Sequence, residues 1–383
     1  LPFYVSCPEA VQAQIEVALS SYHRSFGKFP QGFFLSEMGW TGELERPLRS
    51  YNLGYTIVEA HGLIYGDPPA RKGSFYPVRT PRGVFVLGRE YYSGEDLQEL
   101  SGHALYRDNM RDSGYDLPAA SVGPFLGPGG ARSPTGYKYY TRGAGVPETG
   151  GPAAPDPAAG IYNPAAARRQ AARAAEIFLK RRLSRLKSAA ALMDGAPLSL
   201  CVFRAGDLGR SWYEGLDFLE QFFRQGAQLE GLHFMSPVEF LYKQQITNFQ
   251  TTLPAYSSGG FNGYGETWLH ASNDWMYRHT FRALERMVEL AERFPGNTGL
   301  KERALNQAAR EILLVLSSDW PGMLYRQESS ALAFSGIEDA LRNFTTIYEA
   351  LGSNYISTEW LTKLERRHNI FPHINYRIFR RKK

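Results

Sequence analysis

A chain of 383 residues that is 43% hydrophobic and 14% aromatic carries enough apolar material for a large folded core, which excludes disorder over most of its length. Its 43 basic and 38 acidic side chains leave a formal charge of only +5, so no nucleic-acid partner is implied, and the one concentrated basic run, from Arg377 to Lys383, reads as a solvated terminal tail. Cys7 and Cys201 lie far apart without CxxC spacing, no apolar run has transmembrane length, and the opening Leu1-Pro2-Phe3-Tyr4-Val5 has no signal-peptide pattern; a cytoplasmic protein with no metal and no membrane partner is the expectation.

A first helix is expected from Pro8 to Phe26, with Val11, Ile15 and Leu19 on one face and Gly27 as its stop. That a helix signal follows the first residue so closely suggests a sequence that begins inside a longer gene product. Gly32–Leu35 reads as a short buried strand, Thr41–Tyr51 as a helix and Tyr55–Val58 as another strand, the alternation of a parallel α/β sheet or barrel. Pro77–Gly88 reads as a hairpin-like insertion. From Ser121 to Gly160 the sequence turns to Gly, Pro and Ala and predicts a long loop. Asn163 and Pro164 then cap and open a helix running toward Leu192, whose eight basic residues between Arg168 and Lys187 fit a solvated face better than an anion site.

Leu198–Phe203 and Gly231–Phe234 are further candidate strands around a helix at Trp212–Arg224. Beyond them helices dominate: one carries Tyr277, Phe281, Leu284, Val288 and Ala291 at spacings of three and four, and others follow at Leu300–Leu316, Gly336–Leu351 and Thr358–Arg367. The expected organisation is an α/β portion over residues 1–240 and a C-terminal helical domain over 241–383.

In a parallel α/β barrel the C-terminal ends of strands line the active face. That rule singles out Glu37, just after Gly32–Leu35, and Asp207, at the exit of Leu198–Phe203, as two carboxylates of the kind a glycosidase needs. For Glu37 alone, a loop carboxylate or helix cap is the plainer alternative. Trp212, Tyr213, Trp268, Trp275, Tyr277 and Trp320 lie among Gly, Asn and Ser, where flat rings beside hydrogen-bonding groups can hold sugar rings; core packing is the competing account of each. Phosphate-binding GxxxxGK[ST], GxGxxG, HExxH and GxSxG patterns are absent, and the eight histidines are scattered, so no cofactor is implied.

Several segments in order resemble glycoside hydrolase family 57, and within it the α-1,4-glucan branching enzymes. Gly32–Trp40 is similar to that family's G-x-W-L-P-E-C-x-Y, Val58–Gly62 to its V-D-x-H-G and Thr135–Tyr140 to its T-G-x-K-Y-Y. Phe203–Gly215 resembles Y-D-x-E-L-F-G-H-W-W-Y-E-G, Trp268-Leu269 with Asn273–His279 resembles W-L then N-D-W-I-Y-R-H, and Ser317–Pro321 matches S-S-D-W-P. The resemblance spans about residues 1 to 365. It implies an incomplete seven-stranded (β/α) barrel, its leading strands absent, followed by the helical domain. It further implies a retaining double displacement on α-glucan (amylose, glycogen or maltooligosaccharide), Glu37 as nucleophile, and substrate contacts at Gly136, Trp212, Trp268, Asp319, Trp320 and Glu328.

The pattern also departs from the family. Its acid/base aspartate falls on Arg204 and the glutamate two positions later on Gly206; Ser36 replaces a proline, Arg210 and Ser211 a His-Trp pair, and Gly259 a tryptophan. An arginine stays protonated and cannot shuttle a proton. Asp207, three residues on, is the nearest substitute acid/base, and two expectations stay open: an impaired branching-type transglycosylase, or an inactive paralogue that binds glucan or glycogen.

Overall fold

The computed structural model describes residues 1–142 and 160–382. The chain divides into two compact units, one formed by Leu1–Gly73, Pro77–Gly88 and Ile246–Lys383, the other by Ser74–Tyr76 and Arg89–Gln245. The centre of the predicted loop, 143–159, lies outside the described residues. No helix among the described residues is long and apolar enough to cross a membrane.

The first unit is built on a four-stranded sheet of order β1-β2-β4-β3, with β1 at Gly32–Phe33, β2 at Tyr55–Val58, β3 at Val78–Arg79 and β4 at Phe85–Gly88. β1 and β4 flank β2 in parallel, and β3 closes back on β4 antiparallel. The 77–88 segment is therefore a hairpin whose second arm also extends the parallel sheet. β1 is shorter than expected, because its backbone turns away after Phe33 toward Glu37. Gly32 is required there: a Cβ would stand 2.3 Å from the Tyr55 ring across the strand pair.

Pro8–Phe26 is a helix as its pattern demands, burying Val11, Ile15 and Leu19 and ending at Gly27, whose left-handed φ of 68° lets its N–H reach the His23 carbonyl. The helices Trp275–Arg293, Gly299–Val315, Ser330–Gly352 and Thr358–Arg367 bury Leu284, Ile312, Ile337, Phe344 and Leu361 in the same core. A further helix, Asp319–Arg326, begins inside the Ser-Ser-Asp-Trp-Pro motif. Glu311 is wholly buried in Gly299–Val315; burial pushes its carboxyl up, and it answers the His368 ring at 2.8 Å and the Gln307 and Asn343 amides.

The basic C-terminus is not the solvated tail expected from its charge. Tyr376 and Phe379 are fully buried, the Gln12 amide donates to the Ile378 and Arg380 carbonyls, and only side chains such as Arg381 and Lys382 reach water. The aromatic residues interleaved with the arginines decide the outcome, since each buries more apolar surface than a solvated tail could offset.

In the second unit the helix Pro164–Ala190 opens as predicted, with the Asn163 side chain accepting from the Ala166 N–H. It packs along Gly215–Gly226 through Ala167, Ala171, Ala174 and Phe178. Its basic residues are not one uniform solvated face. Arg182 is buried against Glu90 and Asp96, Arg185 lies 3.1 Å from Glu90 and 2.9 Å from Asp96, and Arg181 reaches Asp96 and Glu99. Two buried carboxylates without these partners would be very costly.

The strands expected at Leu198–Phe203 and Gly231–Phe234 do not form. Leu200 makes one bridge, to Arg89, and Phe234 instead sets its ring against Phe222 and Phe223, so aromatic packing replaces strand pairing. The Thr135–Tyr140 motif is folded around Asp112. That carboxylate, 2% exposed, accepts the N–H groups of Gly114, Thr135 and Gly136 and the Thr135 hydroxyl, all at 2.8 to 2.9 Å. Burial opposes its ionisation, but those hydrogen bonds outweigh burial and hold the carboxyl well below the usual range.

Two stability predictions follow from these cores. Ile337→Ala should destabilise the first unit by about 2–5 kcal/mol, read as a lower denaturant midpoint at unchanged slope. Asp112→Ala should cost about 2–4 kcal/mol, because several buried donors lose their acceptor together. Since ionisation of Asp112 is favoured in the folded chain, its contribution is present above the unfolded-state value of about 3.9 and is lost as pH falls toward the folded-state value. The gap in melting temperature between wild type and Asp112→Ala should therefore narrow below about pH 4; a gap that widens there would contradict the assignment.

Candidate active site

Glu37 follows β1 by four residues, on a tight turn whose shape is unusual. Both Glu37 and Met38 take left-handed backbone angles, each with φ of 52°, without being glycine. Such a pair costs on the order of 1–3 kcal/mol per residue and persists only where the surroundings impose it. Here the Met38 N–H donates to Leu35, the Gly39 N–H to Ser36 and the Gly259 N–H to the Glu37 carbonyl at 2.6 Å. One step further, Trp40 exchanges both backbone hydrogen bonds with Ser257, and its indole N–H donates to the Pro254 carbonyl. The 254–259 segment thus clamps the turn that presents Glu37.

A small cavity of about 40 Å³ opens beside it, lined among others by Ser36, Glu37, Tyr256, Ser258, Trp268 and Ser318. That is room for a few waters rather than for a sugar ring. Ser36 and Ser318 face one another with their hydroxyls 3.0 Å apart, tying the Glu37 turn to the Ser-Ser-Asp-Trp-Pro motif. The Tyr277 hydroxyl donates to the Trp268 carbonyl and fixes that loop from the helix Trp275–Arg293.

A second carboxylate lies close by that strand-end reasoning passed over. Glu59 directly follows β2 and is 6% exposed. A Cβ placed on Gly259 would stand 3.5 Å from Glu37 Oε2 and 3.6 Å from Glu59 Oε1, so the two carboxylates converge on this one glycine from adjacent parallel strands. Their oxygens therefore lie no farther apart than the sum of those two distances. The signal was present in the sequence as an acid at the end of Tyr55–Val58. Two residues on, the His61 ring sits 2.9 Å from the Gly263 carbonyl and 5.0 Å from the Tyr264 ring.

The other candidates are distributed unevenly. Trp268 is brought to the Glu37 cavity, and Asp319 and Trp320 belong to the motif that supplies Ser317, Ser318 and Pro321 to it. Asp319 itself is exposed and accepts from the Ser317 hydroxyl, while the half-buried Trp320 indole donates to Leu314. Glu328 pairs with Arg326 at 2.9 Å on the surface. Gly136, Arg204, Asp207 and Trp212 belong to the second unit. Gly136 has a φ of 80° and spends its N–H on Asp112. Trp212 is 2% exposed and packs between Tyr106 and Phe218, a core position. Asp207 is exposed on the short turn Ala205–Asp207, its N–H donating to the Arg204 carbonyl and its carbonyl accepting from Trp212.

Residues 1–112 match the model of glycosyl hydrolase family 57, and residues 279–379 match that of the 1,4-alpha-glucan branching enzyme C-terminal region. A 1,4-alpha-glucan branching enzyme of Thermococcus kodakarensis is 24% identical over 95% of the chain, which spans 55% of that relative's length. Among solved structures, an alpha-amylase of Thermotoga maritima superposes with a TM-score of 0.88 at 30% identity, covering 100% of this chain and 71% of the other. A family 57 branching enzyme of Pyrococcus horikoshii gives 0.82 at 22% identity, covering 98% and 68%, and shares the fold. The T. kodakaraensis branching enzyme, solved in complex with glucose, gives 0.83 at 21%, covering 99% and 71%. The two segments that match family models hold, respectively, the Glu37 turn and most of the helices packed beneath it, and the chain belongs to glycosyl hydrolase family 57.

Proposed function

We propose that the chain acts on α-1,4-glucan as a branching-type transglycosylase, by retaining double displacement with Glu37 as nucleophile. The observation that carries this reading is the strained turn that holds Glu37 at the mouth of a cavity shared with Trp268 and Ser318, each from a different family-like motif. In the first step a Glu37 oxygen would bond to the anomeric carbon as the bond to the leaving 4-oxygen breaks, and that oxygen must take up a proton. In the second, the 6-hydroxyl of an acceptor chain would displace Glu37 from the ester and give up its proton, forming an α-1,6 link.

The proton is where this chain differs. Arg204 stands at the family's acid/base position and cannot deliver it, so the transfer is slow, with Asp207 as the exposed carboxylate on the same turn that takes over the exchange. The remaining substrate contacts proposed are Gly136, Trp212, Trp268, Asp319, Trp320 and Glu328, with no metal or cofactor. We read residues 1–240 as a portion of an incomplete (β/α)7 barrel and 241–383 as its helical domain, working in the cytoplasm on glycogen or a related store. The substitution at Arg204 also favours a second reading, a glucan-binding paralogue that has lost turnover.

Amylose incubated with the protein, then debranched and sorted by chain length, separates the two. Branching should be detectable and abolished in Glu37→Gln, and Asp207→Asn should lower it by about 10²–10⁴-fold. Arg204→Asp, which puts a carboxylate back at the family position, should raise the rate by a similar factor. Branching that survives Glu37→Gln would sink the mechanism, and glucan binding without turnover in the wild type would establish the paralogue.

A further inference from the structure

We propose that a cavity between the helix Pro8–Phe26 and the segment 371–378 is a binding site for a nucleoside phosphate. The cavity holds about 590 Å³, within the roughly 300–1,000 Å³ of small-molecule sites, and it shares no lining residue with the cavity at Glu37. All of its lining belongs to the first unit.

The surroundings hold this cavity in a costly shape. Phe371, in its lining, keeps a left-handed backbone with φ of 46° without being glycine. The buried Arg310 brackets that residue, donating from Nε to the Ile370 carbonyl at 2.9 Å and from Nη2 to the Pro372 carbonyl at 3.0 Å. Backbone of this kind persists only where its surroundings impose it, and it gathers at ligand sites. On the helix side the His23 ring stacks on Phe29, 8° from parallel with centroids 4.4 Å apart, while Phe29 remains 64% exposed. A ring steadied in this way loses little freedom when a ligand packs on it.

The lining joins two chemistries that a nucleoside phosphate also joins. Phe29 and Phe371, with aliphatic surface from Val17 and Ile374, suit a flat base. Arg24, His23 and His373 add a permanent cation and two imidazoles, and among the described residues none of these three side chains has an ion-pair or hydrogen-bond partner. Glu16, the acid in the lining, is already engaged by Lys382 at 2.6 Å and by the Tyr51 hydroxyl at 2.6 Å. The unspent groups are therefore donors of the type that recognises phosphate oxygens. Cations in the last turn of a helix also answer its macrodipole, which accounts for His23 and Arg24. It does not account for His373, which lies on another segment, or for the strain at Phe371.

Isothermal titration calorimetry of the full chain with ADP, adenosine and inorganic phosphate tests the site. ADP should bind at least about tenfold more tightly than adenosine or phosphate, because base and phosphate share one association. Arg24→Ala should weaken ADP binding by about 10–100-fold and leave adenosine binding unchanged, whereas Phe29→Ala should weaken both. Both side chains are exposed, and neither replacement removes a core contact. Glu37→Gln should bind ADP as wild type does. Absence of ADP binding at millimolar concentration would overturn the site, as would equal ADP affinity in wild type and Arg24→Ala. Loss of ADP binding in Glu37→Gln would also overturn it, since the nucleotide would then sit at the Glu37 cavity. The α-glucan reading rests on branching activity and is untouched by each of these outcomes.

Discussion

The hydrogen bond from the Gly259 amide to the Glu37 carbonyl, with the Trp40 and Ser257 pair beside it, ties a turn at residue 37 to a segment more than two hundred residues later. Left to local preference, neither Glu37 nor Met38 would stay in the left-handed region. Long-range pairing supplies the constraint, and the long-range core under it keeps that pairing in place: Leu35 and Trp40, on either side of the turn, are both completely buried. The geometry of the Glu37 turn therefore depends on residues far apart in the chain. A mutation at Ser257, whose backbone pairs with Trp40, would act on Glu37 through the turn.

Burial of charge governs the second unit in a comparable way. Glu90 and Asp96 lie almost wholly out of water, and the helix Pro164–Ala190 answers them with Arg182 and Arg185 one turn apart. Such a cluster contributes little net stability compared with an apolar core of equal size, but removing one member leaves an uncompensated charge, so it enforces a single register of helix against its neighbours. The side chains on the outer face of the helix, such as Arg168 and Lys180, make only exposed pairs worth little.

How much of this was legible in the sequence follows from which forces were local. Pro8–Phe26, Pro164–Ala190 and the C-terminal helices announce themselves through caps and a repeating apolar face, and they form where expected. Leu198–Phe203 and Gly231–Phe234 had apolar runs of the right length, yet a strand exists only if another strand is available, and sequence periodicity is silent on partners. The buried end of the chain was hidden for a related reason, since its positive charge is visible and the groove that accepts Tyr376 and Phe379 is not. At the site, Glu37 could be read from a strand-end acid in a family-like motif. Glu59 could have been read by the same rule but was not, because only the parallel pairing of β1 with β2 shows that two strand ends aim their acids at one place.

Gly259 is the point where these constraints meet. Its missing side chain would lie 3.1 Å from the Glu37 carbonyl and within 3.6 Å of both carboxylates, so any larger residue there must push against the turn or fill the space between the acids. Where the resembling family pattern has a tryptophan, this chain has a glycine, closely bordered by the Glu37 turn and by Glu59. The backbone clamp from the 254–259 segment thus fixes both the Glu37 turn and the one position from which a side chain could separate Glu37 from Glu59.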